Sequence, residues 1–467
     1  MNKIYPRVRA SYITYGLSIL ILSVFASFLL CAQTGTQNFT DLSPSPQQVE
    51  WQDLEIGVIV HFGLNTFTDK EWGSGKIDPS LFNPTQFDPN QWVEAAQAAG
   101  AKYLVFVAKH HDGFCLFPTE LTKYSVASSP WENGHGDVVR AVEEACRQHG
   151  MKFGIYLSPW DRHEPSYSSN AEYDKFYQGL MEELLTRYGP IEEFWLDGAG
   201  SEGHVYDFDS YLHLLRVYQP NALVFADVGF MKWGDIRWVG NEAGFAPEEN
   251  WEVIDRAGYL RWRPAECDTP LHKSHWFWHP NDAQSLKTVA ELMKIYDNSV
   301  GHGCQLMLGI APDEEGLLPV LDAQRLREFG QEIQRIYTHN LALEGMPSSD
   351  VGGNPRAAFD NNPDSFWVAP SHTYHAALEV RFQNPIAFDR TVAMEWLNRG
   401  QNIESYEIQA WAQASGWKTL YRGTSIGHKK IDIFPETTAK AVRLNILMSS
   451  HTPAIREFQI YDGHGAP

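Results

Sequence analysis

The sequence predicts an α/β chain in which a (β/α)8-type barrel is followed by an all-β domain of the jelly-roll or β-sandwich kind. Three observations lead to this prediction. The 467 residues are too many for one compact domain of ordinary size. Between about Trp51 and Asn340, short β-rich runs alternate with longer helical patterns. Beyond Gly345 only short β-like runs remain.

The alternation favours a parallel sheet, because a helix after each strand can cross over to the next strand. Helix ends are well marked; Asp137, for example, is a good N-cap and Gly150 a good C-terminal stop. A doubly wound open sheet is the alternative, but no GxGxxG turn follows the first strand. The predicted strands are Ile56–Gly63, Ala101–His111, Lys152–Asp161, Ile191–Gly200, Ala222–Asp227 and a late strand with its loop, Gln305–Pro319. The predicted helices are Asn83–Gly100, Asp137–Gly150, Ala171–Gly189, Asp207–Pro220 and Asp322–Asn340.

A Gly-, Ser- and Pro-rich stretch, GMPSSDVGGNP, marks a hinge after Glu344. From about Arg356 onward, short β-like runs such as AALEVRF and ESYEIQAWA are separated by turns at regular spacing. We therefore assign residues 33–345 to the barrel domain and residues 346–467 to the β-sandwich.

The N-terminus has the pattern of a secretory signal, which we assign to residues 1–32. Basic residues precede a largely apolar run, Ile13–Leu30, and small polar residues follow it. Cleavage after Ala32 and lipidation of Cys31 are both open, and an uncleaved anchor is a third alternative. We expect an exported protein that is periplasmic, associated with the outer membrane or secreted, with a membrane contact only through a lipid anchor at Cys31.

Composition narrows the class of partner. The formal net charge of −21 argues against nucleic acid, whose phosphates need clustered Lys and Arg. Sixteen tryptophans favour clefts that stack on flat apolar faces such as sugar rings. The cysteines show no CxxC spacing, so neither a zinc site nor a disulfide scaffold is indicated.

In a barrel of this kind, residues at the carboxyl ends of the strands form the active-site mouth. The predicted strand ends carry carboxylates, histidines and tryptophans, which together are typical of a carbohydrate site. They are His61, His110–Asp112, Trp160–Asp161, Trp195–Asp197, Asp227 and Arg237–Glu242.

Asp197 and Glu242 are the candidate catalytic pair. Asp197 ends the apolar run EEFWLD and is followed by small residues, although a helix N-cap or a structural carboxylate is the alternative. In a retaining glycosidase, two carboxyl groups about 5–5.5 Å apart act as nucleophile and acid/base. For the second role the pKa of Glu242 must be raised, which burial among aromatic side chains and the charge of Asp197 can bring about.

A metal site is the alternative for His61, His110, His111 and Asp112. Adjacent side chains on a strand point to opposite faces, so the His110–His111 pair is poorly placed to chelate one ion. No HxH pair occurs in the sequence, and we expect no metal at the catalytic site.

Four motifs, AKHHDGFCLFPT, YLSPWDR, EEFWLDGAG and RWVGNEAG, occur in this order on the predicted barrel. Together they resemble glycoside hydrolase family 29, the retaining α-L-fucosidases. The resemblance implies that Asp197 is the nucleophile. The VGNE motif is similar to that of the subgroup specific for α-1,3/1,4-linked fucose, which makes Glu242 the acid/base.

The same resemblance implies the sugar-binding residues. The residues expected to contact fucose hydroxyls are His61, Glu71, Trp72, His110 and His111. The resemblance also implies an aromatic platform that includes Trp276 or Trp278, and a rim at Trp262–Pro270 in which Glu266 and Asp268 would meet a galactose or N-acetylglucosamine branch. From the predicted strand ends, Trp160 and Trp195 are added as sugar-binding aromatic residues. For each tryptophan, packing in the core is the alternative.

The C-terminal domain resembles a discoidin-type (F5/8 type C) or family 32 carbohydrate-binding module, through AAFDNNPDSFWVAP at its start. Such a module implies sugar binding and a structural Ca²⁺, but packing against the barrel explains the domain equally well.

The expected function is that of a retaining exo-α-L-fucosidase that removes terminal α-1,3/1,4-linked L-fucose from branched, Lewis-type glycans and other fucosylated glycoconjugates. No cofactor is expected for catalysis. Another retaining barrel glycosidase, such as one acting on α-galactosides, and a catalytically silent glycan-binding protein are the alternatives.

Overall fold

The structure is a computed structural model, which describes residues 42–226, 234–256, 259–413 and 416–464. The predicted signal, with Cys31, lies outside the described residues, and so does the predicted strand-end residue Asp227. Within the described ranges, no helix combines the length and the apolar character needed to cross a membrane.

Eight parallel strands close into a barrel, which confirms the predicted fold class of the first domain. The barrel strands are β1 Ile56–Val60, β2 Tyr103–Lys109, β3 Lys152–Leu157, β4 Glu193–Leu196, β5 Leu223–Ala226, β6 Ile236–Trp238, β9 Ala265–Pro270 and β10 Gln305–Ile310. Around the barrel they follow the order β1-β10-β9-β6-β5-β4-β3-β2. A small antiparallel hairpin, β7 Val253–Arg256 and β8 Tyr259–Trp262, lies between β6 and β9.

Helices pack around the outside of the barrel, and local capping explains where several of them begin and end. The Asp137 side chain accepts a hydrogen bond from the Arg140 N–H at 2.9 Å, and Gly150 follows that helix with φ 67°. The helices are α1 Pro46–Gln52, α2 Pro89–Ala98, α3 Val138–Gln148, α4 Asn170–Arg187, α5 Phe208–Tyr218, α6 Val289–Asn298 and α7 Val320–Tyr337.

Aromatic residues fill the barrel interior and form a base for the strand ends. The indole of Trp195 stacks on Phe225, with ring centroids 3.7 Å apart and the planes only 2° from parallel. Tyr156 packs on the other side of Trp195 at 5.6 Å. These three rings are buried, so they hold the carboxyl ends of β3 and β4 in fixed positions.

The second domain is an all-β unit, as predicted. The strands are β11 Met346–Ser349, β12 Trp367–Val368, β13 Ala376–Glu395, β14 Ile403–Ala412, β15 Gly416–Gly423, β16 Lys430–Ser449 and β17 Ala454–Tyr461. Their order is β12-β17-β13-β16-β14-β15, and β11 pairs with β13. Two register shifts interrupt the pairing of the longest strands, β13 and β16, and these strands contribute many residues to an apolar core.

A cluster of charges joins the two domains beside β1. The Asp53 carboxylate accepts hydrogen bonds from Arg456 at 2.6 and 3.0 Å and lies 2.8 Å from His428 Nε2. Lys429 pairs with Glu55 in the same region. The barrel and the β-domain are therefore held together close to the N-terminal end of the barrel strands.

Candidate active site

A cavity of about 230 Å³ opens at the carboxyl ends of the barrel strands. Aromatic and titratable side chains form most of its wall, as expected for a sugar site. Its lining residues are Ile59, His61, Trp72, His110, His111, Tyr156, Trp195, Asp197, Gly198, Ala199, Glu202, Trp238, Glu242, Asp268 and Trp276.

Asp197 lies just beyond β4, and two neighbours orient its carboxylate. Tyr156 donates its phenol hydrogen to Oδ2 at 2.8 Å, and the Ala199 backbone N–H donates to Oδ1 at 2.8 Å. The side chain is 19% exposed, so it remains reachable from the cavity. A carboxylate held in this way is a preorganised nucleophile.

His110 and His111 follow the end of β2 and both face the cavity. Their ring centroids are only 4.0 Å apart. The expectation that they point to opposite faces is therefore wrong, because β2 ends at Lys109 and strand alternation no longer applies. Asp112 accepts the Phe114 N–H at 3.3 Å and belongs to the turn below them.

The cavity histidines are held neutral by burial. Burial, with the neighbouring His111, lowers the pKa of His61 to about 3. Burial also lowers the pKa of His110 far below its ordinary value and that of His111 to about 4, although Asp197 acts in the opposite direction on His111. Neutral imidazoles can both donate and accept, which suits sugar hydroxyls. Within the described residues, no group of three or more His, Cys, Asp or Glu is arranged to hold a metal ion.

Glu242 lies on the loop after β6 and lines the same cavity as Asp197. Partial burial raises the pKa of its carboxyl group, and the charges of Asp197 and Glu71 raise it further, against the effect of a hydrogen bond with the Trp276 side chain. Glu242 therefore has the environment that an acid/base residue needs.

Glu71 is placed beside the cavity, where it holds the loop that carries Trp276. Its carboxylate accepts the backbone N–H groups of Trp276 at 2.9 Å and Phe277 at 3.1 Å. His279 Nε2 lies 2.7 Å from the same carboxylate. Trp276 forms part of the wall, with its ring centroid 5.2 Å from that of His61.

Trp72 and Trp160 form one side of the mouth. Trp72 is 53% exposed, and its ring meets His111 edge-on at 5.6 Å. Trp160 packs against both, at 5.3 Å from Trp72 and 5.0 Å from His111. An exposed indole at this place is available to stack on a sugar.

The segment predicted to be a rim, Trp262–Pro270, is mainly the barrel strand β9. Glu266 is fully buried inside the barrel and accepts hydrogen bonds from Trp195 at 2.9 Å and Tyr103 at 3.1 Å. The expectation that Glu266 meets a branch sugar is therefore wrong. Asp268 lies on the cavity floor, 4% exposed, and accepts the Trp238 indole N–H at 2.6 Å. Burial raises the pKa of Asp268 well above its ordinary value.

Two predicted tryptophans lie away from the cavity. Trp262 is buried with Val253 and Leu397, so it belongs to the packing between the hairpin and the β-domain. Trp278 lines a separate cavity of about 220 Å³ next to the start of α7. Of the alternatives left open, Trp276 rather than Trp278 faces the sugar cavity.

Sequence reasoning missed Tyr156 and Ser158. Tyr156 donates to Asp197, and the Ser158 hydroxyl lies 2.7 Å from His111 Nδ1. Both residues belong to the predicted strand Lys152–Asp161, and Tyr156 points into the barrel. A phenol on an inward-facing position near a strand end is the signal that could have indicated it.

Residues 76–336 match the family model of the α-L-fucosidases. The chain belongs to this family, glycoside hydrolase family 29. It is thus a glycoside hydrolase with α-L-fucosidase activity, and enzymes of this family need no cofactor for catalysis. Residues 346–458 match the F5/8 type C domain, as the resemblance predicted.

Curated relatives and solved structures agree with this assignment. Alpha-L-fucosidase 1 of Arabidopsis thaliana is 37% identical over 447 residues, which cover 90% of this chain and 87% of the plant protein. A putative α-L-fucosidase from Bacteroides thetaiotaomicron superposes with a TM-score of 0.86 at 33% identity, covering 91% of this chain and 98% of that one. A Ruminococcus gnavus fucosidase of family 29 in complex with fucose has a TM-score of 0.84 at 28% identity, covering 91% and 98%.

Proposed function

We propose that this α-L-fucosidase is a retaining exo-enzyme that acts on terminal α-1,3/1,4-linked fucose of branched, Lewis-type glycans. The observation that carries the proposal is the shared cavity of Asp197 and Glu242, in which one carboxylate is oriented by two donors and the other has a raised pKa. These are the unequal environments that a nucleophile and an acid/base require.

In the first step, an Asp197 oxygen attacks the anomeric carbon of fucose while Glu242 gives its proton to the leaving glycosidic oxygen. The products are a fucosyl-Asp197 ester and the shortened glycan. In the second step, Glu242 removes a proton from water, which attacks the same carbon and releases fucose with its configuration retained.

The proposed fucose contacts are His61, His110, His111, Trp72 and Trp276, all of which line the cavity. Glu71 supports this set through the Trp276 loop. The volume of about 230 Å³ suits a single sugar ring, which favours removal of terminal residues.

The linkage proposal rests on Glu242 within VGNE, the motif that is similar to the α-1,3/1,4-specific subgroup. Glu202 also lines the cavity and is exposed. The leaving glycan therefore meets carboxylates from two loops, after β4 and after β6, which can accept hydrogen bonds from a branched acceptor sugar.

A substrate panel with two variants tests the mechanism and the linkage together. We expect faster hydrolysis of a Lewis-type trisaccharide than of a 2-linked fucoside, with release of the α-anomer first by NMR. Asp197→Asn should abolish turnover of every substrate. Glu242→Gln should lose far less on an aryl fucoside with a good leaving group, which needs little proton donation. A preference for the 2-linked substrate would reject the linkage, and full activity of Asp197→Asn would reject the mechanism.

We also propose that the protein is exported, because residues 1–32 have the pattern of a secretory signal. Mass spectrometry of the mature N-terminus, after fractionation of cells that express the full chain, distinguishes cleavage after Ala32 from a lipid on Cys31. A cytoplasmic protein with an intact Met1 would contradict export.

A further inference from the structure

Ser158, which directly follows β3, is fully buried between two partners. Its Oγ lies 2.9 Å from the Trp160 carbonyl oxygen and 2.7 Å from His111 Nδ1. A carbonyl oxygen can only accept, so the hydroxyl hydrogen of Ser158 goes to Trp160. The Ser158 oxygen is then left to accept, and the hydrogen between it and His111 must be carried by Nδ1.

The protonation of Nδ1 determines whether the Nε2 atom of His111 donates or accepts a hydrogen bond. A neutral imidazole carries one N–H, so with Nδ1 protonated the Nε2 atom has a free lone pair. Nε2 faces Asp197 Oδ2 at 3.6 Å, a distance beyond a normal hydrogen bond. Burial and the positive charges of Lys109 and Arg162 disfavour an imidazolium here, and they outweigh the opposite effect of Asp197. Two acceptors therefore face each other across a gap.

We propose that Ser158 is a positioning residue for hydrolysis: it fixes the Nδ1–H tautomer of His111, so that His111 Nε2 and Asp197 Oδ2 are two acceptors that share the single hydrogen of one substrate hydroxyl group. The inference rests on the proposed role of Asp197 as nucleophile. The added residue, Ser158, does not contact the substrate itself. It determines whether His111, which does contact the substrate, accepts or donates a hydrogen bond there.

The hydroxyl concerned is the one on C2 of fucose. Asp197 attacks C1, and the C2 hydroxyl is the free hydroxyl of the fucose ring that lies nearest to that carbon. The Tyr156 hydroxyl already donates to Oδ2 at 2.8 Å. A second donor at the same oxygen compensates for the water that the carboxylate loses when the sugar enters. Hydrogen bonds to the 2-hydroxyl strengthen in the transition state of glycoside hydrolysis. In the opposite tautomer, Nε2–H would occupy Asp197 and leave the hydroxyl without this acceptor.

Kinetics of three variants test the proposal. Ser158→Ala should lower kcat/KM for an aryl α-L-fucoside by about 10- to 100-fold, the size of effect expected for a buried hydrogen bond to a reacting group. Ser158→Thr keeps the hydroxyl and should recover most of this loss. Ser129→Ala is the matched control: that buried serine donates to the Val126 carbonyl oxygen at 2.7 Å and does not line the cavity. It should leave kcat/KM unchanged. The loss in Ser158→Ala should shrink to less than 3-fold on a 2-deoxyfucoside.

The tautomer itself can be observed by ¹⁵N NMR of the free, histidine-labelled enzyme, with His111→Gln identifying the signals. We expect Nδ1–H at pH 7 in the wild type and Nε2–H in Ser158→Ala. An Nε2–H or doubly protonated His111 in the wild type would overturn the proposal, and so would an equal loss on the fucoside and its 2-deoxy analogue. Because the NMR result needs no turnover, it stands apart from the proposed mechanism, which the Asp197→Asn variant tests.

Discussion

The carboxylate of Glu71 holds the backbone of Trp276, whose N–H donates to Oε2 at 2.9 Å. Trp276 forms a wall of the fucose cavity, whereas Glu71 lies just outside it. His279 completes the arrangement by bridging Glu71 at 2.7 Å and Asp69 at 2.5 Å. Although partial burial opposes it, these hydrogen bonds raise the pKa of His279. The position of one cavity wall thus depends on an ion-paired loop.

We expect Glu71→Gln to raise KM for an aryl α-L-fucoside by about 10-fold or more, because a charge-assisted hydrogen bond of about 1.5–3 kcal/mol is lost at the Trp276 loop. Steady-state kinetics measure the effect. Glu344→Gln is the control, since it breaks an exposed pair with His339 at 3.0 Å, and neither residue lines the cavity. Equal KM values for Glu71→Gln and Glu344→Gln would show that Glu71 does not position the wall.

The pH dependence of kcat/KM should follow the protonation of the Glu242 carboxyl group. The acid form gives the proton in the first step, so kcat/KM should fall as pH rises through the pKa of Glu242, which lies above its ordinary value. The negative charge of Glu71 contributes to that rise, so Glu71→Gln should move the alkaline limb to lower pH. Profiles of kcat/KM against pH measure both effects. In Glu242→Gln the alkaline limb should disappear; an unchanged limb would assign it to another group.

The barrel could be predicted because most of its strands are apolar runs with marked ends, as in Tyr103–Lys109. β9 was missed as a strand since its sequence, AECDTP, alternates small and acidic residues. Those acids are tolerated inside the barrel only because Trp195, Tyr103 and Trp238, from other strands, donate hydrogen bonds to them. Because these donors lie on other strands, the sequence of β9 alone does not show that its carboxyl groups can be buried.

The site was predicted at the level of strand ends but not of individual roles. Asp197 and the histidines line the cavity because each follows a barrel strand directly. The tryptophans could not be sorted in the same way. Trp262 and Trp276 both lie in aromatic stretches, and only the course of the loops places one in the core and the other at the cavity.

The junction between the domains should depend on Asp53. We expect Asp53→Asn to lower the free energy of unfolding at pH 7 by about 1–2 kcal/mol, the value for charged hydrogen bonds reduced for a side chain that solvent partly screens. Despite the opposing effect of burial, His428 and Arg456 hold the pKa of Asp53 far below its ordinary value. This stabilisation is therefore present above the ordinary Asp range and lost in strong acid.

Urea unfolding at pH 7 and pH 3 measures this effect, with Glu50→Gln, an exposed carboxylate on α1, as the control. A stability for Asp53→Asn equal to that of the control at pH 7 would mean that the Arg456 pair adds nothing to the junction.

Glu193 is fully buried in the barrel interior, accepts the Trp51 indole N–H at 3.1 Å and lies beside the buried carboxyl group of Glu266. Burial and the neighbouring Glu266 raise its pKa well above 4.5, so the folded protein keeps a proton that the unfolded chain releases. Stability from this group is complete below about pH 4.5 and falls as pH rises, by about 1.4 kcal/mol per pH unit for one proton.

Glu193→Gln retains the shape of the side chain and removes this pH dependence of stability. Its free energy of unfolding relative to the wild type should therefore improve between pH 5 and pH 8 in denaturant titrations. Glu192→Gln, at the neighbouring position that pairs with Lys152 at 2.9 Å, should show a constant difference. A constant difference for Glu193→Gln as well would mean that the buried pair holds no extra proton.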